Sequence, residues 1–480
     1  MRIGVKIILT ALLVLSAMNA YAWELKDGND ELFQFNGQIL YRGRYYNLDF
    51  NDDSSRGHIN RHNYFGDLSL KFLLKPEQHV TLFFEMHKFV FEGQRFRYNS
   101  IQTGEEVAPE EMATLLSSTS GVSDPNNPTA ADIAKLPLRP TNTDEAWEMH
   151  LRQAWMDVKL PRYPVKLKFG RQPFVLGNGI YSNTNIASAF GFQVYSDFGA
   201  GKSSVRLGSM KFYEGLRENY NYELKENDDP DDIDLLFADG SIPLPMEKSK
   251  AGAFLTYYKD CSKGLDELSH VNIGLTADLS LPAGFTLKSE FDYQIGTIDS
   301  SNTKTDWNGY AFMLNVGAPP VLNNKLRLSG EFGIGSGDDP DTEDFEGYVG
   351  VAPFFPYAFA YEYRFLHMIY NSSHMYTKLS KGMYENLAPG LENTTYLKAN
   401  ATVSLPYKAS FTFSPIYLGM TEQGEAFGYE FDNTLNIPVY KNFSYMFVFA
   451  YVMPSDYMKD INPSVKDNAY AIRSQFMATF

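Results

Sequence analysis

The chain alternates apolar and polar residues at period two over much of its length, and this constrains its fold more than any single motif. The clearest run is Val271, Ile273, Leu275, Ala277, Leu279 and Leu281, interleaved with His270, Asn272, Thr276, Asp278 and Ser280. Pro282-Ala283-Gly284 follows at once. Phe285, Leu287, Ser289, Phe291, Tyr293 and Ile295 then alternate with Thr286, Lys288, Glu290, Asp292 and Gln294. Successive strand side chains point to opposite faces, so this is a hairpin with one apolar and one charged face. Residues 64–75 and 80–91 form a second hairpin, and 324–335, 395–405, 408–418, 427–436 and 442–452 continue the pattern. The last residues obey it too. Tyr470, Ile472, Phe476 and Phe480 share one parity, and Arg473, Gln475 and Thr479 the other. Most soluble domains end frayed and polar, whereas an alternating last strand that ends on an aromatic suits a bacterial outer-membrane barrel.

No run beyond the N-terminus is long and charge-free enough for a membrane helix. The nearest, residues 348–360, is interrupted by Pro353 and Pro356 and followed by Glu362 and Arg364. A chain that spans a bilayer without such helices must close as a barrel, because every backbone polar group has to be satisfied internally. An aromatic content of 15%, with 32 Tyr and 36 Phe, fits a lipid-facing wall with aromatic girdles around a polar inside. At the N-terminus, Arg2 and Lys6 precede a short apolar stretch at 7–15, and Ala20-Tyr21-Ala22 fits a small-x-small cleavage pattern. Residues 1–22 therefore read as a cleaved signal peptide and 23–480 as the outer-membrane β-barrel, placed in the outer membrane of a double-membraned bacterium. Cys261 is the only cysteine, which excludes an internal disulfide, CxxC metal sites and CxxCH haem attachment within this polypeptide. Without Arg2 and Lys6, 40 basic residues face 58 acidic ones, a net charge of −18, which argues against nucleic acid as a partner.

Several hairpin turns are short and carry Pro, Gly or Asn. Other connections are long and polar, chiefly those near 93–145 and 214–249, with a third, acidic one at 338–345. Short periplasmic turns and long extracellular loops are the asymmetry of an up-and-down antiparallel transmembrane barrel. At roughly 25 residues per strand plus connection the expected fold is all-β, with about 18 strands and 16 as the other even count. The terminal strand 470–480 is expected to close against the first, near residues 35–50.

Three stretches resemble the alginate-export-like outer-membrane barrels. They are Leu151-Arg152-Gln153-Ala154-Trp155-Met156-Asp157-Val158 followed by Leu167-Lys168-Phe169-Gly170-Arg171-Gln172; Phe332-Gly333-Ile334-Gly335-Ser336-Gly337-Asp338; and Phe427-Gly428-Tyr429-Glu430-Phe431-Asp432 followed by the strand 442–452. The resemblance implies a monomeric barrel of about 18 strands acting as a passive channel. It does not by itself imply alginate, because function lives in the site. Here Gly170-Arg171-Gln172 leads into Pro173-Phe174-Val175-Leu176 without further arginines, so the interior reads as mixed in charge.

If the apolar parity faces lipid, the other lines the lumen. Its basic candidates are Arg42, Arg44, Lys71, Lys166, Lys168, Lys288, Lys325 and Arg327. Its acidic candidates are Asp67, Glu85, Asp278, Glu290, Asp292, Glu331, Glu430 and Asp432. The plainer expectation is that most of them pair across strands in a wet lumen. The sharper one is a basic constriction of Arg42, Arg44, Lys166 and Lys168 for anionic solutes. Asp228, Asp229, Asp231, Asp232 and Asp234 offer oxygens for Ca²⁺, but Pro230 interrupts them and no glutamate closes an EF-hand loop, so a solvated acidic run is the favoured reading. The aromatics of 348–363 read as girdle or packing rather than sugar-stacking groups. No HExxH, Walker A or GxSxG occurs, and no cofactor is expected, which disfavours an enzyme.

The function these features support is passive passage of hydrophilic solutes or anionic saccharides. A barrel that sheathes an exported partner such as an electron-transfer cytochrome is the alternative, and an inward gate formed by 93–145 is a third possibility. Outer-membrane lipid, lipopolysaccharide and the barrel-assembly machinery, which would read the strand ending at Phe480, are the expected partners.

Overall fold

The computed structural model describes residues 23–27, 30–47, 60–92, 150–183, 188–199, 203–213, 233–260, 267–300, 303–339, 341–351, 391, 393–422, 424–457 and 468–480. The signal-peptide reading of 1–22, the proposed gate at 93–145 and Asp228, Asp229, Asp231 and Asp232 lie outside these residues.

The described chain is almost entirely strand: β1 (Trp23–Asp27), β2 (Asp30–Asn47), β3 (Asn60–Glu77), β4 (Val80–Glu92), β5 (His150–Lys159), β6 (Val165–Gln172), β7 (Val175–Leu176), β8 (Ser182–Asn183), β9 (Ala189–Phe198), β10 (Ser203–Tyr213), β11 (Ile233–Pro243), β12 (Lys250–Asp260), β13 (Glu267–Ser280), β14 (Thr286–Ser300), β15 (Thr303–Gly317), β16 (Leu326–Gly335), β17 (Thr395–Ser404), β18 (Ser410–Gly419), β19 (Ala426–Tyr440), β20 (Phe443–Pro454) and β21 (Ala469–Thr479). Every strand except β7 and β8 belongs to one antiparallel sheet of 19 members. Each strand pairs with the next in sequence, and β6 passes to β9 directly. β21 pairs with β2, from Gln38↔Thr479 to Asn47↔Tyr470, so the sheet closes on itself. β1 occupies the same edge of β2 beyond the end of β21, with Trp23↔Phe35 to Asp27↔Asp30. The ring itself therefore has 18 strands, 19 minus β1.

The alternation read in 271–295 is the observed register. Ile273 lies opposite Tyr293 and Leu275 opposite Phe291, while Asn272 lies opposite Gln294 and Asp278 opposite Lys288. Pro282–Gly284 forms the one-turn 3-10 connection between them, with Ala283 and Gly284 at positive φ. The first parity is the outer surface and leaves Phe190, Leu207, Leu236, Leu255 and Ile295 each at least half exposed. An apolar belt that large and continuous marks contact with a membrane. The second parity points inward and holds Glu85, Gln193, Thr256, His270, Asn272, Glu290, Asp292 and Gln294, all buried. β13, β14 and β15 have 14, 15 and 15 residues. A strand needs only about 9–11 to cross the hydrocarbon core, so these continue past it.

One end of the barrel carries short turns, such as 78–79, 281–285 and 441–442; the other carries the long connections. The expected loop 214–249 is shorter than its sequence suggested. Ile233, Leu235 and Phe237 alternate with Asp234, Leu236 and Ala238, and they form β11 rather than loop. Asp234 thus sits on a strand, opposite Lys211 and Lys259.

At the seam, Phe480 exchanges backbone hydrogen bonds with Gly37, N–H to carbonyl in both directions at 2.8 and 2.9 Å. The Phe480 ring lies over Gly37 where a Cβ would stand, and it is 6.0 Å between centroids from Phe35. A glycine opposite a terminal aromatic gives the ring a flat backbone surface to cover.

Candidate functional site in the barrel interior

Two connections at the long-loop end turn into the barrel and pack on its inner wall. The first, described over residues 173–183, contains the hairpin β7–β8. Val175 carbonyl accepts 2.9 Å from Nη2 of Arg206, whose guanidinium also holds Asp239 across β10–β11 through Nε at 2.8 and 3.1 Å and Nη2 at 3.0 Å. Phe174 packs on Phe237, centroids 4.6 Å apart. The hairpin turns at Leu176-Gly177-Asn178-Gly179, closed by Gly179 N–H on Leu176 carbonyl at 2.9 Å. Gly177 has φ +57, which favours glycine, and a Cβ there would stand 2.7 Å from the Glu290 carboxylate and displace it. Asn178 donates its backbone N–H to Oε2 of Glu290 and its Nδ2 to Ser289 carbonyl at 2.8 Å. Tyr181 accepts 3.0 Å from Thr256 Oγ1 and lies 3.0 Å from His270 Nε2. His270 is itself walled by Tyr258 and Trp307.

The second inward segment is 336–351. Phe345 pairs with β15 through backbone bonds to Asp306 carbonyl (2.8 Å) and from Asn308 N–H (2.9 Å). Trp307 Nε1 donates to Gly347 carbonyl at 2.8 Å. Gln294 closes a two-way bond with the Val349 backbone, donating to its carbonyl at 2.7 Å and accepting from its N–H at 3.0 Å. Tyr348 O–H donates to Oδ2 of Asp292 at 3.0 Å, and Asn272 Nδ2 donates to Oδ1 at 3.3 Å. Burial pushes the phenols of Tyr181 and Tyr348 well above the ordinary tyrosine range, which keeps both as neutral hydrogen-bonding groups. In the acidic connection 338–345, residues 341–344 are exposed as expected, while Phe345 pairs with Trp307 on β15 and buries its ring. Tyr348 also packs, as read for the aromatic stretch, while 352–363 lies outside the described residues.

β14 is the strand on which both segments rest. Three successive inward positions, Glu290, Asp292 and Gln294, hold the first segment, the second and the second again. Glu290 and Asp292 were read as lumen-facing wall. They have the expected parity, but the two segments cover them and leave both fully buried. Parity gives the side on which a residue stands, not what packs over it.

The other candidates are distributed around the ring. Glu85 is buried in a knot that collects Ser69 Oγ (2.7 Å), Gln153 Nε2 (2.7 Å), Arg152 Nη1 (3.3 Å) and Lys71 Nζ (3.8 Å). Lys288 and Asp278 face each other across β13–β14 at 3.9 Å, both solvated, so the pair adds little to stability. Lys166 lies 3.5 Å from Asp197 and over the Tyr195 ring. Lys168 stands 3.8 Å over the Trp155 ring, and Tyr195 O–H donates to Asp157 beside it. Glu331 accepts from Tyr396 O–H at 2.8 Å and Asn315 Nδ2 at 2.9 Å, opposite Lys398. Arg327 stands opposite Thr402, and Lys325 precedes β16 in its turn, its carbonyl accepting from Ser404 N–H at 2.7 Å. Glu430 and Asp432 are buried on β19 opposite Ile416 and Ser414.

Arg42, Arg44 and Asp67 share the inward register by backbone; their side chains lie outside the description. β2, which carries the two arginines, is four strands from β6, which carries Lys166 and Lys168. Four strand spacings are roughly 19 Å of wall, so the backbone sets the four expected basic residues apart rather than in one cluster. No group of three or more metal-ligating side chains occurs among the described residues. Arg206, Asp239, Asn178, Gln294 and Tyr181 were not singled out from the sequence. Arg206 and Asp239 alternate with small or apolar neighbours on β10 and β11, so parity alone places both on the inner wall.

The structure resembles solved outer-membrane porins. A BenF-like porin from Pseudomonas fluorescens Pf-5 is 11% identical, matches over 93% of this chain and 98% of its own, and has a TM-score of 0.52. OccAB1 from Acinetobacter baumannii is 10% identical over 93% of this chain and 96% of its own, with a TM-score of 0.50. At that identity the likeness establishes the fold: a closed antiparallel barrel of the porin type. No family model matches the chain, and no curated protein matches it.

Proposed function

We propose that the protein is an outer-membrane channel for passive passage of hydrophilic solutes. The observation that carries this reading is the two-sided wall: an apolar belt outside and a continuous inward row of charged and amide side chains, narrowed by segments 173–183 and 336–351. A barrel of 18 strands is wide enough for an aqueous path unless its interior is filled. The described inward residues line one stretch of wall, from β10 to β15. The porin-type fold supports this reading and argues against an enzyme. Outer-membrane lipid and lipopolysaccharide surround such a barrel, assembly through the strand ending at Phe480 delivers it, and it acts as a monomer after removal of residues 1–22. Planar-bilayer recording of the folded protein tests the channel; absence of conductance across voltages and salts sinks it.

Within this reading, passage of hydrophilic solutes through a mixed-charge lumen is the leading choice, and anionic saccharides are the narrower case that the resemblance of 151–172, 332–338 and 427–452 to alginate-export-like barrels brings in. Uronates then block anion current, and Arg44→Glu weakens the block. A sheath for an electron-transfer cytochrome is disfavoured by the same inward segments, which occupy interior that a second protein would need. Co-purification of a stoichiometric haem protein in mild detergent would reverse that preference.

A further inference from the structure

The outward parity of the wall is apolar through its belt and turns charged toward the long-loop end. From β10 to β15 that outer face carries Lys211, Asp234, Lys259, Glu267, Asp299 and Lys304. On the β12–β15 side the lysines meet carboxylates: Lys259 Nζ stands 3.0 Å from Glu267, and Lys304 Nζ 4.0 Å from Asp299. Over β6, β9 and β10 the arrangement differs. Phe190 lies between two cations, opposite Arg171 on one side and Lys211 on the other. Its ring is 64% exposed on the outer face, and one step toward the membrane centre the paired Phe169 and Phe192 are 39% and 45% exposed. Two strand spacings, roughly 10 Å, separate Arg171 from Lys211. Ala154 faces Arg171 from β5 and Asp234 faces Lys211 from β11, so this outward row holds two cations and one carboxylate. Arg171 is the seventh of eight residues in β6 and Lys211 the ninth of eleven in β10, and both strands run toward the long-loop end. A cation on a barrel's lipid face is costly at the bilayer midplane and nearly free at the interface. The row therefore lies at the outer headgroup level, with Phe169 and Phe192 below it among the acyl chains.

We propose that Arg171, Phe190 and Lys211 form a docking site on the outside of the barrel for the phosphorylated headgroup of lipopolysaccharide. The guanidinium offers paired donors in a plane and the ammonium a point charge, and both suit phosphate. Both side chains are long enough to meet over the Phe190 ring and close on one phosphate group. Phe190 itself covers the sugar or the first acyl carbons, and Phe169 and Phe192 continue that apolar surface toward the chains. Charge and depth together choose the occupant, an anionic amphiphile of the outer leaflet. Free phosphate would make no use of the phenylalanines. The site also has a place in the architecture. β6 is the shortest strand of the ring, and the chain turns inward directly after Gln172. A headgroup held by Arg171 covers the outer rim where the wall is lowest. This rests on the outer-membrane part of the proposed function and is independent of conductance.

The test uses full-length protein extracted from outer membranes in mild detergent, with Arg171→Gln and Lys211→Gln combined in one variant. Lys259→Gln with Lys304→Gln is the control, since it removes the same charge from the same face at lysines that have carboxylate partners. Native mass spectrometry counts the lipopolysaccharide retained per barrel, and heat-modifiable gel migration reports folding. Retention is expected to fall about ten-fold in the first variant and to stay within about two-fold of the parent in the control. Equal retention by parent and first variant overturns the site, as does an equal fall in the control. A second measurement needs no variant. Parent refolded in phosphatidylcholine vesicles is titrated with lipopolysaccharide or with phosphatidylglycerol, and its unfolding temperature is expected to rise at a lower mole fraction of the former. An equal response to both lipids assigns the effect to any anionic surface and overturns the proposal. A parent that retains lipopolysaccharide without conducting sinks the channel reading alone; one that conducts and retains none sinks the site alone.

Discussion

The phenolic oxygen of Tyr348 lies 3.0 Å from Oδ2 of Asp292, a bond that joins an inward-folded connection to the middle of a membrane strand. Both partners are buried, so removing the donor leaves a carboxyl oxygen short of a partner. Tyr348→Phe is expected to cost about 1–3 kcal/mol. The loss should appear as unfolding at lower temperature on heat-modifiable gel migration, together with noisier single-channel current. An unchanged transition would show that the segment is held without this bond.

Gly177→Ala should be as disruptive to current as Tyr348→Phe, for a different reason. It combines a left-handed backbone with a Cβ placed 2.7 Å from the Glu290 carboxylate. Gly199 also has positive φ, +74, but nothing stands within 4 Å of its Cβ position. Gly199→Asn is therefore the control, since asparagine tolerates that backbone. Equal effects of the two substitutions would assign the damage to backbone conformation alone.

Arg206 holds Asp239 with a planar fork through Nε and Nη2, and the second N–H of Nη2 goes to Val175 carbonyl. Lysine keeps the charge but cannot make that set of bonds. Arg206→Lys is expected to expose segment 173–183 to limited proteolysis, while the wall itself keeps its melting behaviour. Protease resistance equal to the parent would count against Arg206 as an anchor.

Burial pushes the Asp338 carboxyl above the ordinary carboxylate range; the Glu346 backbone amide opposes this, and the Glu346 and Asp339 charges add to it. A raised value means that the folded segment binds the proton more tightly than the opened one, so its stability falls as pH rises through that value. Amide exchange at Phe345, corrected for intrinsic base catalysis, should quicken over that window in the parent and not in Asp338→Asn. The same slope in both would remove Asp338 from the explanation.

Filling the slot under the last ring should act on assembly rather than on transport. Gly37→Leu, or deletion of Phe480, is expected to lower the folded fraction in outer-membrane preparations. Molecules that do fold should conduct as the parent does. A reduced unitary conductance with a normal folded fraction would contradict this.

The wall was legible in the sequence because a barrel writes its two environments in alternate residues. The register of 271–295, the short turn at Pro282 and closure by 470–480 all follow from that alternation. The inward segments were not legible. Phe174, Leu176, Tyr181, Phe345 and Tyr348 are apolar residues without strand periodicity, and they bury themselves against a wall from a different part of the chain. For the same reason Glu290 and Asp292 were placed on the right side but in water. β11 was missed because the acidic run before it masked Ile233, Leu235 and Phe237.

β21 and β1 run in the same direction along the same edge of β2, and their registers are continuous: Phe480 stands against Gly37, and Trp23 against Phe35. Only the position facing Asn36 separates them. The wall is thus interrupted at one point, and in a chain shortened to begin at Trp23 a peptide linker of a residue or two would bridge it. A circular permutant joined there and opened at a short turn such as 281–285 would keep every ladder of the barrel, with the cut moved to a place where no terminal aromatic marks it.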